Sequence, residues 1–502
     1  MSRPVGIDLG AAFAVTATVD PTGEPRTLVG RAGKRLTRTT ALVGDGMCYV
    51  GAGTQPASAP ELRFVRFVTC AYGDPAWRIA AGDGTSLRAA EVAALILRRL
   101  TFDIERNLGG PASRVVLTVP ACFDDTFRRA TMQAARIAGL TVHKVLNAPT
   151  AAAVAYGMAL PTEETALVYS LGAGCFDATV VRLAEGQVEV LATRGDVMLG
   201  GLDWDNVLMR MLNRRFRARG GPDLLRDPAS ATALRTAAET AKHRLTAEAR
   251  TRVRLSGAGM TGDVLVTRVE FEEATSGLLA RTAELTERTV ADAGLLWTTV
   301  DRVVMAGGST RMPMVETMLE QLTGRPVEAL VDPAEVAALG AAFYAASVQD
   351  DRGGKEGGGR QILLREVASH GLGALARDPS TGRLRNVVVL PANTPLTASR
   401  RVLFRTIDDG QRCIDIQATQ GDDADPGAVR LLDRVCFPLA GHPADSPIEI
   451  VYAYDQDQAP QLQVNDGTTG TQLGRVQLGN REGPTENELA ASIERVRAMR
   501  VY

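Results

Sequence analysis

The chain has 502 residues, of which 45% are hydrophobic and 23% are charged, an ordinary composition for a globular protein. At roughly 100–200 residues per domain, the length predicts two to four domains. Basic residues number 56 and acidic residues 58, and the resulting charge of −2 argues against a dedicated binder of nucleic acid or of anionic membranes. No apolar run approaches the ~18 residues of a membrane span, and the N-terminus enters a strand pattern at once, without room for a signal peptide. We therefore expect a cytoplasmic protein.

Six cysteines are spread thinly along the chain, and no two of them have metal-ligand spacing. They stand at positions 48, 70, 122, 175, 413 and 436. This distribution predicts reduced cysteines that act as small core residues, and not a disulfide framework.

Strand-like and helix-like patterns alternate from about residue 5 to residue 346, which predicts an α/β region. The predicted strands include Val5–Leu9, Val115–Val119, Ala166–Leu171, Val188–Ala192 and Arg302–Ala306. The predicted helices include Arg88–Glu105, Phe127–Ala138, Leu234–Leu245 and Met314–Leu322.

The composition changes after this region. Residues 350–360 are polar and glycine-rich, which is typical of a flexible linker. From Ile362 to about Gly479, short alternating runs recur between turn residues and predict an antiparallel β domain. A last segment, Glu486–Met499, has a helical pattern.

The α/β region contains an internal repeat. Val5–Ala11 and Tyr169–Gly174 share an apolar strand, a polar residue, Leu, Gly and a small residue, and each runs on into a second apolar stretch. This is the pattern of a strand, a tight glycine turn and a returning strand, whose backbone N–H groups can approach an anion closely. Two such turns that face each other would clamp the phosphates of a nucleotide, although one turn alone would indicate only a hairpin.

Several blocks, in this order, resemble the 70-kDa heat-shock (DnaK-type) chaperone family of the actin/hexokinase-like ATPase superfamily. They are Gly6–Gly10, Val119–Asp125, Ala135–Leu140, Asn147–Gly157, Leu199–Asp205 and Ala306–Pro313, and the likeness continues to about residue 480.

The resemblance implies an α/β fold with a two-lobed actin-like ATPase domain, built from duplicated ribonuclease-H-like subdomains, followed by a β-sandwich peptide-binding domain. The implied boundaries are 1–347 for the ATPase domain, 348–365 for a linker, 366–481 for the β-sandwich and 482–502 for a short C-terminal helix. The long helical lid that the family carries over the peptide groove is then expected to be absent.

The resemblance also implies which residues contact ATP or ADP. They are Gly10, Ala11, Ala12, Gly172, Ala173, Gly174, Gly200, Gly201, Glu239, Lys242, Thr246, Gly307, Gly308 and Arg311. Glu239, Lys242 and Thr246 recur at three- and four-residue steps and so share one helix face. Lys242 is one of only four lysines in the chain.

The catalytic side departs from the family pattern. Asp8 and Asp177 are kept, and Asp8 would reach Mg²⁺ through water, but the family's second-loop aspartate is Ser170 and its glutamate before Pro149 is Ala148. The threonines of the two loops have become Ala11, Ala12 and Cys175, and Arg66 stands for the phosphate-facing lysine. We therefore expect nucleotide binding to persist, Mg²⁺ binding to weaken and hydrolysis to be weak or lost.

The resemblance places two further groups of residues. Pro120, Arg128, Ile362, Leu363 and Leu364 would carry communication between the domains. Leu372, Leu375, Phe404, Ile407, Ile414 and Ile416 would line a peptide groove, or would be ordinary core residues.

Three functions are compatible with these features of the sequence. The first is a chaperone-like protein that binds nucleotide and holds a polypeptide client or one dedicated partner, with a J-protein or exchange factor as a possible further partner. The second is a working ATPase or other nucleotide-dependent enzyme with a rearranged site. The third is a scaffold without nucleotide.

Overall fold

The protein is seen in a computed structural model. It describes residues 3–31, 33–51, 62–82, 84–112, 114–157, 163–327, 329, 331–348, 361–378, 380–479 and 484–502. The predicted glycine-rich linker at 350–360 lies outside these residues, as do the first two residues of the predicted C-terminal segment.

The first lobe is a six-stranded mixed sheet with a small antiparallel sheet at its side. Its elements are β1 (Pro4–Leu9), β2 (Phe13–Val19), β3 (Pro25–Thr27), β4 (Leu36–Arg38), β5 (Ala41–Gly44), β6 (Met47–Val50), β7 (Arg63–Val65), β8 (Ile79–Ala80), β9 (Ser86–Leu87), α1 (Ala89–Leu108), β10 (Arg114–Val119), α2 (Asp125–Ala138), β11 (Val142–Asn147) and α3 (Ala148–Gly157). The main sheet has the order β11-β10-β1-β2-β3, with β4 also on β2, and β5 pairs with β6 and β7 at the side. We call this part lobe I.

The second lobe has its own mixed sheet. Its elements are β12 (Glu164–Leu171), β13 (Phe176–Ala184), β14 (Gln187–Asp196), α4 (Gly201–Ala218), α5 (Pro228–Ala247), β15 (Arg250–Gly257), β16 (Met260–Thr267), α6 (Arg268–Asp292), β17 (Arg302–Ala306), α7 (Pro313–Thr323) and α8 (Val336–Ser347). The sheet order begins β17-β12-β13-β14. We call this sheet, with α4 to α8, lobe II.

The internal repeat of the sequence is a repeat of topology. In lobe I, β10 and β1 are parallel, and β1, β2 and β3 are antiparallel. In lobe II, β17 and β12 are parallel, and β12, β13 and β14 are antiparallel. The patterned strands and helices named above fall on observed elements, with Arg88 as the N-cap of α1.

Helices α3 and α8 cross between the lobes. α8 packs on β1 and β2, and α3 packs on β12 and β13. A Cβ atom on Gly340 would lie 1.7 Å from the carbonyl oxygen of Ala151, so only glycine permits this crossing distance. The crossing fixes the lobes on either side of a cleft.

The C-terminal region consists of two four-stranded antiparallel sheets that share one core. Its elements are β18 (Leu363–Arg365), β19 (Leu372–Arg377), β20 (Leu384–Leu390), β21 (Ser399–Arg405), β22 (Gln411–Gln420), β23 (Arg430–His442), β24 (Pro447–Tyr454), β25 (Pro460–Asp466), β26 (Gln472–Gln477), α9 (Glu486–Ala498) and β27 (Arg500–Val501). The sheet orders are β20-β19-β22-β23 and β21-β24-β25-β26. We call residues 366–479 the β domain.

Both ends of the β domain are attached to the lobes. Before it, β18 pairs in parallel with β14 and becomes the fifth strand of the lobe II sheet. After it, α9 packs on α1 and α2 of lobe I. β27 then pairs in parallel with β6, and the rings of Tyr49 and Tyr502 stack with centroids 5.0 Å apart. The helical pattern of residues 486–499 predicted the helix but not the strand that follows it.

The prediction that all cysteines are reduced core residues is wrong for three of them. Cys413 on β22 and Cys436 on β23 form a disulfide, because the strand register makes them diagonal neighbours. Their separation of 23 residues hides this pairing in the sequence. Cys70 is exposed, whereas Cys48 and Cys122 are buried as expected.

Among the described residues, none of the helices combines the length and the apolar character that crossing a membrane requires.

Candidate functional site

A cavity of about 350 Å³ lies between the two lobes. This volume is within the range of small-molecule sites, roughly 300–1,000 Å³. Most of the residues that the sequence assigns to nucleotide line it: Gly10, Ala11, Ala12, Gly172, Ala173, Gly174, Glu239, Lys242, Thr246, Gly307, Gly308 and Arg311. Gly200 and Gly201 lie directly behind this lining, against Ala173 and Lys242.

The two glycine turns meet inside the cavity. The turn between β1 and β2 carries Gly10 to Ala12, and the turn between β12 and β13 is closed by a 3.1 Å bond from the Gly172 N–H to the Cys175 carbonyl oxygen. A Cβ atom on Gly174 would lie 2.8 Å from the Cys70 Sγ and 3.1 Å from the Ala11 Cβ. Because Gly174 has no side chain, the two turns can approach each other this closely. We call the space beside them the phosphate cradle, after the role that the resemblance implies.

The end of β17 forms a third wall. Gly307 has φ of 83°, and its N–H donates to the Pro333 carbonyl oxygen at 2.6 Å. A Cβ atom there would lie 2.3 Å from the Leu171 carbonyl oxygen, so glycine is required on two counts. Ser309, which follows in the chain, donates from Oγ to the Gly172 carbonyl oxygen at 3.0 Å and ties this wall to the second turn.

Helix α5 supplies the wall that the resemblance assigns to adenosine. Lys242 is buried, and its Nζ donates to the Gly201 carbonyl oxygen at 2.8 Å and pairs with Asp205 at 2.9 Å. Glu239 forms ion pairs with Arg38 at 3.0 Å and Arg66 at 2.6 Å. Burial acts to raise the pKa of Glu239, but the two guanidinium groups hold it below its ordinary value.

The structure places Arg66 away from the position that the resemblance implies. Its guanidinium group binds Glu239, donates to the Thr236 Oγ1 at 3.2 Å and lies over the Phe67 ring. Arg66 is not part of the cavity lining. In this structure it joins lobe I to lobe II instead of facing the phosphate cradle.

Two carboxylates, one from each lobe, line the floor of the cavity. Asp8 at the end of β1 accepts a bond from the Thr118 Oγ1 at 2.6 Å, and Asp177 on β13 accepts one from the Cys122 N–H at 2.7 Å. Burial raises the pKa of Asp8, and it raises the pKa of Asp177 to about 6. Burial disfavours the ionised form of each carboxylate, and a nearby divalent cation would stabilise it. These two residues therefore fit Mg²⁺.

Ser170 and Ala148 line the same floor. Neither side chain carries a charge, and Ser170 lies opposite Asp177 in the register of β12 and β13. This floor therefore carries two carboxylates, Asp8 and Asp177, where four would stand if the family pattern were complete.

Several cavity residues escaped sequence reasoning. Cys70 and His243 line the wall without belonging to any of the blocks named above, and Asp205 lines it without having been assigned a role. Asp205 lies in the block Leu199–Asp205, so its position near the glycine pair was a usable signal, but its ion pair with Lys242 depends on the packing of α4 against α5.

The residues assigned to communication between the domains lie in different parts of the structure. Arg128 is buried, donates from Nε to the Phe123 carbonyl oxygen at 3.3 Å and binds the Asn147 side chain. Pro120 lines the cavity. Of the linker residues, Ile362 is buried and Leu363 and Leu364 belong to β18.

The residues assigned to a peptide groove divide into two groups. Leu372 and Ile416 are buried in the core of the β domain, with Phe404 and Ile414 packed partly against that core. Ile407, by contrast, is 84% exposed, and Leu375 on β19 is half-buried.

Comparison with known proteins agrees with the blocks named above. The family described as Hsp70 protein matches residues 66–444. The chaperone protein dnaK3 of Thermosynechococcus vestitus is 34% identical over 496 residues, which cover 92% of this chain and 71% of that protein. The chaperone proteins DnaK of Thermotoga petrophila and Thermotoga maritima are 34% identical over 506 residues, which cover 98% of this chain and 82% of each relative. The resemblance is confirmed, and the chain belongs to the Hsp70 family.

Proposed function

We propose that this protein is an Hsp70-type chaperone that binds ATP or ADP between its lobes, hydrolyses ATP weakly or not at all, and holds a polypeptide in its β domain. The family binds ATP and ADP with Mg²⁺, and its DnaK-type members bind polypeptide clients and co-chaperones such as J-proteins. The observation that carries the proposal is the cavity floor, where Ser170 and Ala148 stand beside Asp8 and Asp177.

Nucleotide binding depends on features that this chain retains. The glycine turns offer backbone N–H groups, and the α5 wall offers Glu239, Lys242 and Thr246. These contacts do not require the missing carboxylates, because they act on the phosphate oxygens and on the adenosine.

Hydrolysis depends on features that it lacks. Transfer of a phosphoryl group to water needs positioned charges around the metal and a polar group that orients the attacking water. Loss of one such group costs about 10²–10³ in rate, and two acids are replaced here. The Mg²⁺ ion would supply positive charge against the phosphates, and Asp8 and Asp177 would hold it. Fewer carboxylates also attract the ion less, so Mg²⁺ binding would be weakened.

The β domain is proposed as the β-sandwich that binds polypeptide. Leu403 on β21 is 59% exposed, and Ile407, which follows this strand, is 84% exposed. An extended peptide could bind there through backbone hydrogen bonds and side-chain pockets. If the protein serves one dedicated partner and not a range of clients, that partner would bind at this same surface.

Calorimetric titration of the full chain with ATP and ADP, with and without Mg²⁺, tests the proposal. We expect binding of both nucleotides, a modest effect of Mg²⁺ and little release of phosphate. Rapid turnover would instead establish a working ATPase with a rearranged site, and absence of binding would establish a nucleotide-free scaffold.

A restored site gives the sharper test of the catalytic part. The double variant Ser170→Asp/Ala148→Glu should raise the rate of hydrolysis by about tenfold or more, since each group restores part of a 10²–10³ effect. Ser256→Asp/Ala249→Glu is the matched control, because it adds the same two acids at exposed positions of lobe II. An unchanged rate in the first variant would show that these two positions do not limit hydrolysis.

A further inference from the structure

Three side chains with metal-binding atoms converge at the inner end of the cavity. Cys122 follows β10, Cys175 closes the second glycine turn and Asp177 lies on β13. The two sulfur atoms and a carboxylate oxygen all lie within 4.8 Å of one another. The sequence gives no hint of this cluster, because Cys122 and Cys175 stand on different lobes and have no metal-ligand spacing.

The distances suit a tetrahedral cation. Zinc bonds of about 2.3 Å to sulfur and 2.0 Å to oxygen give ligand-to-ligand distances of about 3.5–3.8 Å. The three ligand atoms all lie within 4.8 Å of one another, so a modest approach of the side chains would bring them to these distances.

The exposure of these three residues is suited to a metal site with three protein ligands and one open coordination position. Asp177 is 1% exposed and Cys122 is 7% exposed, so the protein encloses the cluster from behind. Cys175 is half-buried and lines the cavity together with Asp177, so the cluster opens toward the phosphate cradle. Cys70 lies next to it, with its Sγ 2.8 Å from the Cβ position of Gly174.

The chemistry of the donors selects among cations. Thiolates are soft ligands that favour Zn²⁺ or Cu⁺ over Mg²⁺. The family's threonine at the position of Cys175 would offer a hard hydroxyl oxygen, and its replacement by a thiol changes the preference of this end of the cavity.

We propose that Cys122, Cys175 and Asp177 form a binding site for Zn²⁺ whose fourth position faces the nucleotide cavity. The site does not require nucleotide, so it stands or falls separately from the function proposed above. A cation bound there takes Asp177 away from Mg²⁺ and offers an open coordination position to a ligand in the cavity.

Titration of the full chain with Co²⁺ and then Zn²⁺, after removal of metal and in a reductant that is not a thiol, tests the site. The Cys413→Ser/Cys436→Ser double variant is the starting protein, because those two sulfurs are also close together. We expect one equivalent of Co²⁺ to bind with a thiolate-to-cobalt charge-transfer band in the near ultraviolet, and one equivalent of Zn²⁺ to abolish this band.

Variants locate the ligands. In the same background, Cys175→Ser and Asp177→Asn should each weaken binding of Zn²⁺ at least tenfold, whereas Cys48→Ala, which replaces a buried cysteine of lobe I, should leave it unchanged. Cys175→Thr provides a second replacement at the same position, and thermal unfolding shows that each variant is folded.

Three results would overturn the proposal. They are the absence of the cobalt band from the starting protein, equal affinity for Zn²⁺ in folded Cys175→Ser or Cys175→Thr, and a Cys122–Cys175 disulfide in protein that binds no metal after reduction.

Discussion

Lys242 shows how one residue serves both the fold and the site. Its Nζ is bound to the Gly201 carbonyl oxygen and to Asp205, and the lysine also lines the cavity. These contacts hold the start of α4 against α5, and they fix the position of the Lys242 ammonium group at the cavity wall. A nucleotide that binds beside α5 therefore meets a cation whose position is already fixed.

Replacement of this lysine should affect binding more than any exposed lysine does. We expect Lys242→Ala to weaken ADP binding at least tenfold in calorimetric titration, because a charged hydrogen bond to the ligand is worth about 1.5–3 kcal/mol. Lys34→Ala is the matched control, since Lys34 is exposed in lobe I. Equal affinity for ADP in the two variants would contradict the assigned role of Lys242.

The outcome at Arg66 shows a limit of sequence reasoning at this scale. A resemblance fixes which residue aligns with the phosphate-facing lysine, but not where a longer, planar side chain binds. Glu239 lies within reach, and a guanidinium group pairs with a carboxylate through directed hydrogen bonds. The pairing partner decides the direction of Arg66, and that partner comes from α5, more than 170 residues along the chain.

At the scale of elements, the C-terminal helix α9 is attached to lobe I by an ion pair with a buried carboxylate. Arg495 binds the Glu91 Oε1 through Nε at 2.9 Å and through a second nitrogen at 2.6 Å. Glu91 is 1% exposed, and its other oxygen accepts the N–H of Arg88 at 2.7 Å, which caps α1.

Removal of Arg495 leaves this buried carboxylate without its cation. We expect Arg495→Ala to reduce the free energy of unfolding by about 1–3 kcal/mol, less than for a fully buried pair because Arg495 is partly exposed. The control Arg497→Ala, which breaks an exposed pair with Glu494, should cost no more than about 0.5 kcal/mol. Hydrogen exchange should become faster in residues 486–501 of the first variant only, and equal protection in both would contradict the attachment.

The disulfide of the β domain permits a second test at this scale. Cys413 and Cys436 close a loop of 23 residues between adjacent strands, and a cross-link of this size stabilises a fold by about 3 kcal/mol through the unfolded chain. We expect reduction to lower the unfolding temperature of the wild type but not of Cys413→Ser/Cys436→Ser. Alkylation of both thiols in protein that has never been reduced would show that the bond does not form.

Strands and helices with strong local patterns were predictable, and contacts between distant elements were not. The repeat of the two glycine turns follows from the sequence because each copy carries its own strand, turn and strand. The strand β27 has only two residues, Arg500 and Val501, so it offers no period that could be recognised. Leu372 and Ile416 were hard to place for a different reason. Period-two alternation shows which residues share one face of a strand, but it does not show which face covers the core.

At the scale of the whole molecule, the β domain is docked on lobe I by charged and polar contacts. Arg430 pairs with Asp124 at 2.8 Å, Lys144 pairs with Asp457 at 3.1 Å, and His370 lies 3.1 Å from the Cys122 carbonyl oxygen. The carbonyl group in the last contact belongs to Cys122, which is next in the chain to a residue of the cavity lining. A shift of the domain therefore acts on the turn that carries Cys122, whose N–H donates to Asp177.

Asp125 makes this interface sensitive to pH. The residue is buried at the start of α2, its backbone N–H donates to the Gln420 side chain of the β domain at 3.2 Å, and its carboxylate pairs with Arg129 at 2.8 Å. Burial raises the pKa of Asp125 from 3.8 to about 6 despite the attraction of Arg129. The folded protein therefore binds a proton at this site more tightly than the unfolded chain does.

The sign of the effect follows from the two pKa values. Below about pH 4 the carboxyl group of Asp125 is protonated in both the folded and the unfolded state, so it does not change the free energy of unfolding. As the pH rises from 4 to 6, the unfolded chain ionises first, so the free energy of unfolding falls, by up to about 3 kcal/mol for a shift of about two pKa units.

Asp125→Asn should remove this contribution, so the stability of the variant relative to the wild type should rise between pH 4 and pH 7. Urea unfolding across that range measures the difference, with Asp408→Asn, an exposed aspartate of the β domain, as the control. A difference between Asp125→Asn and the wild type that stays constant with pH would contradict the proposed burial of this charge under the docked domain.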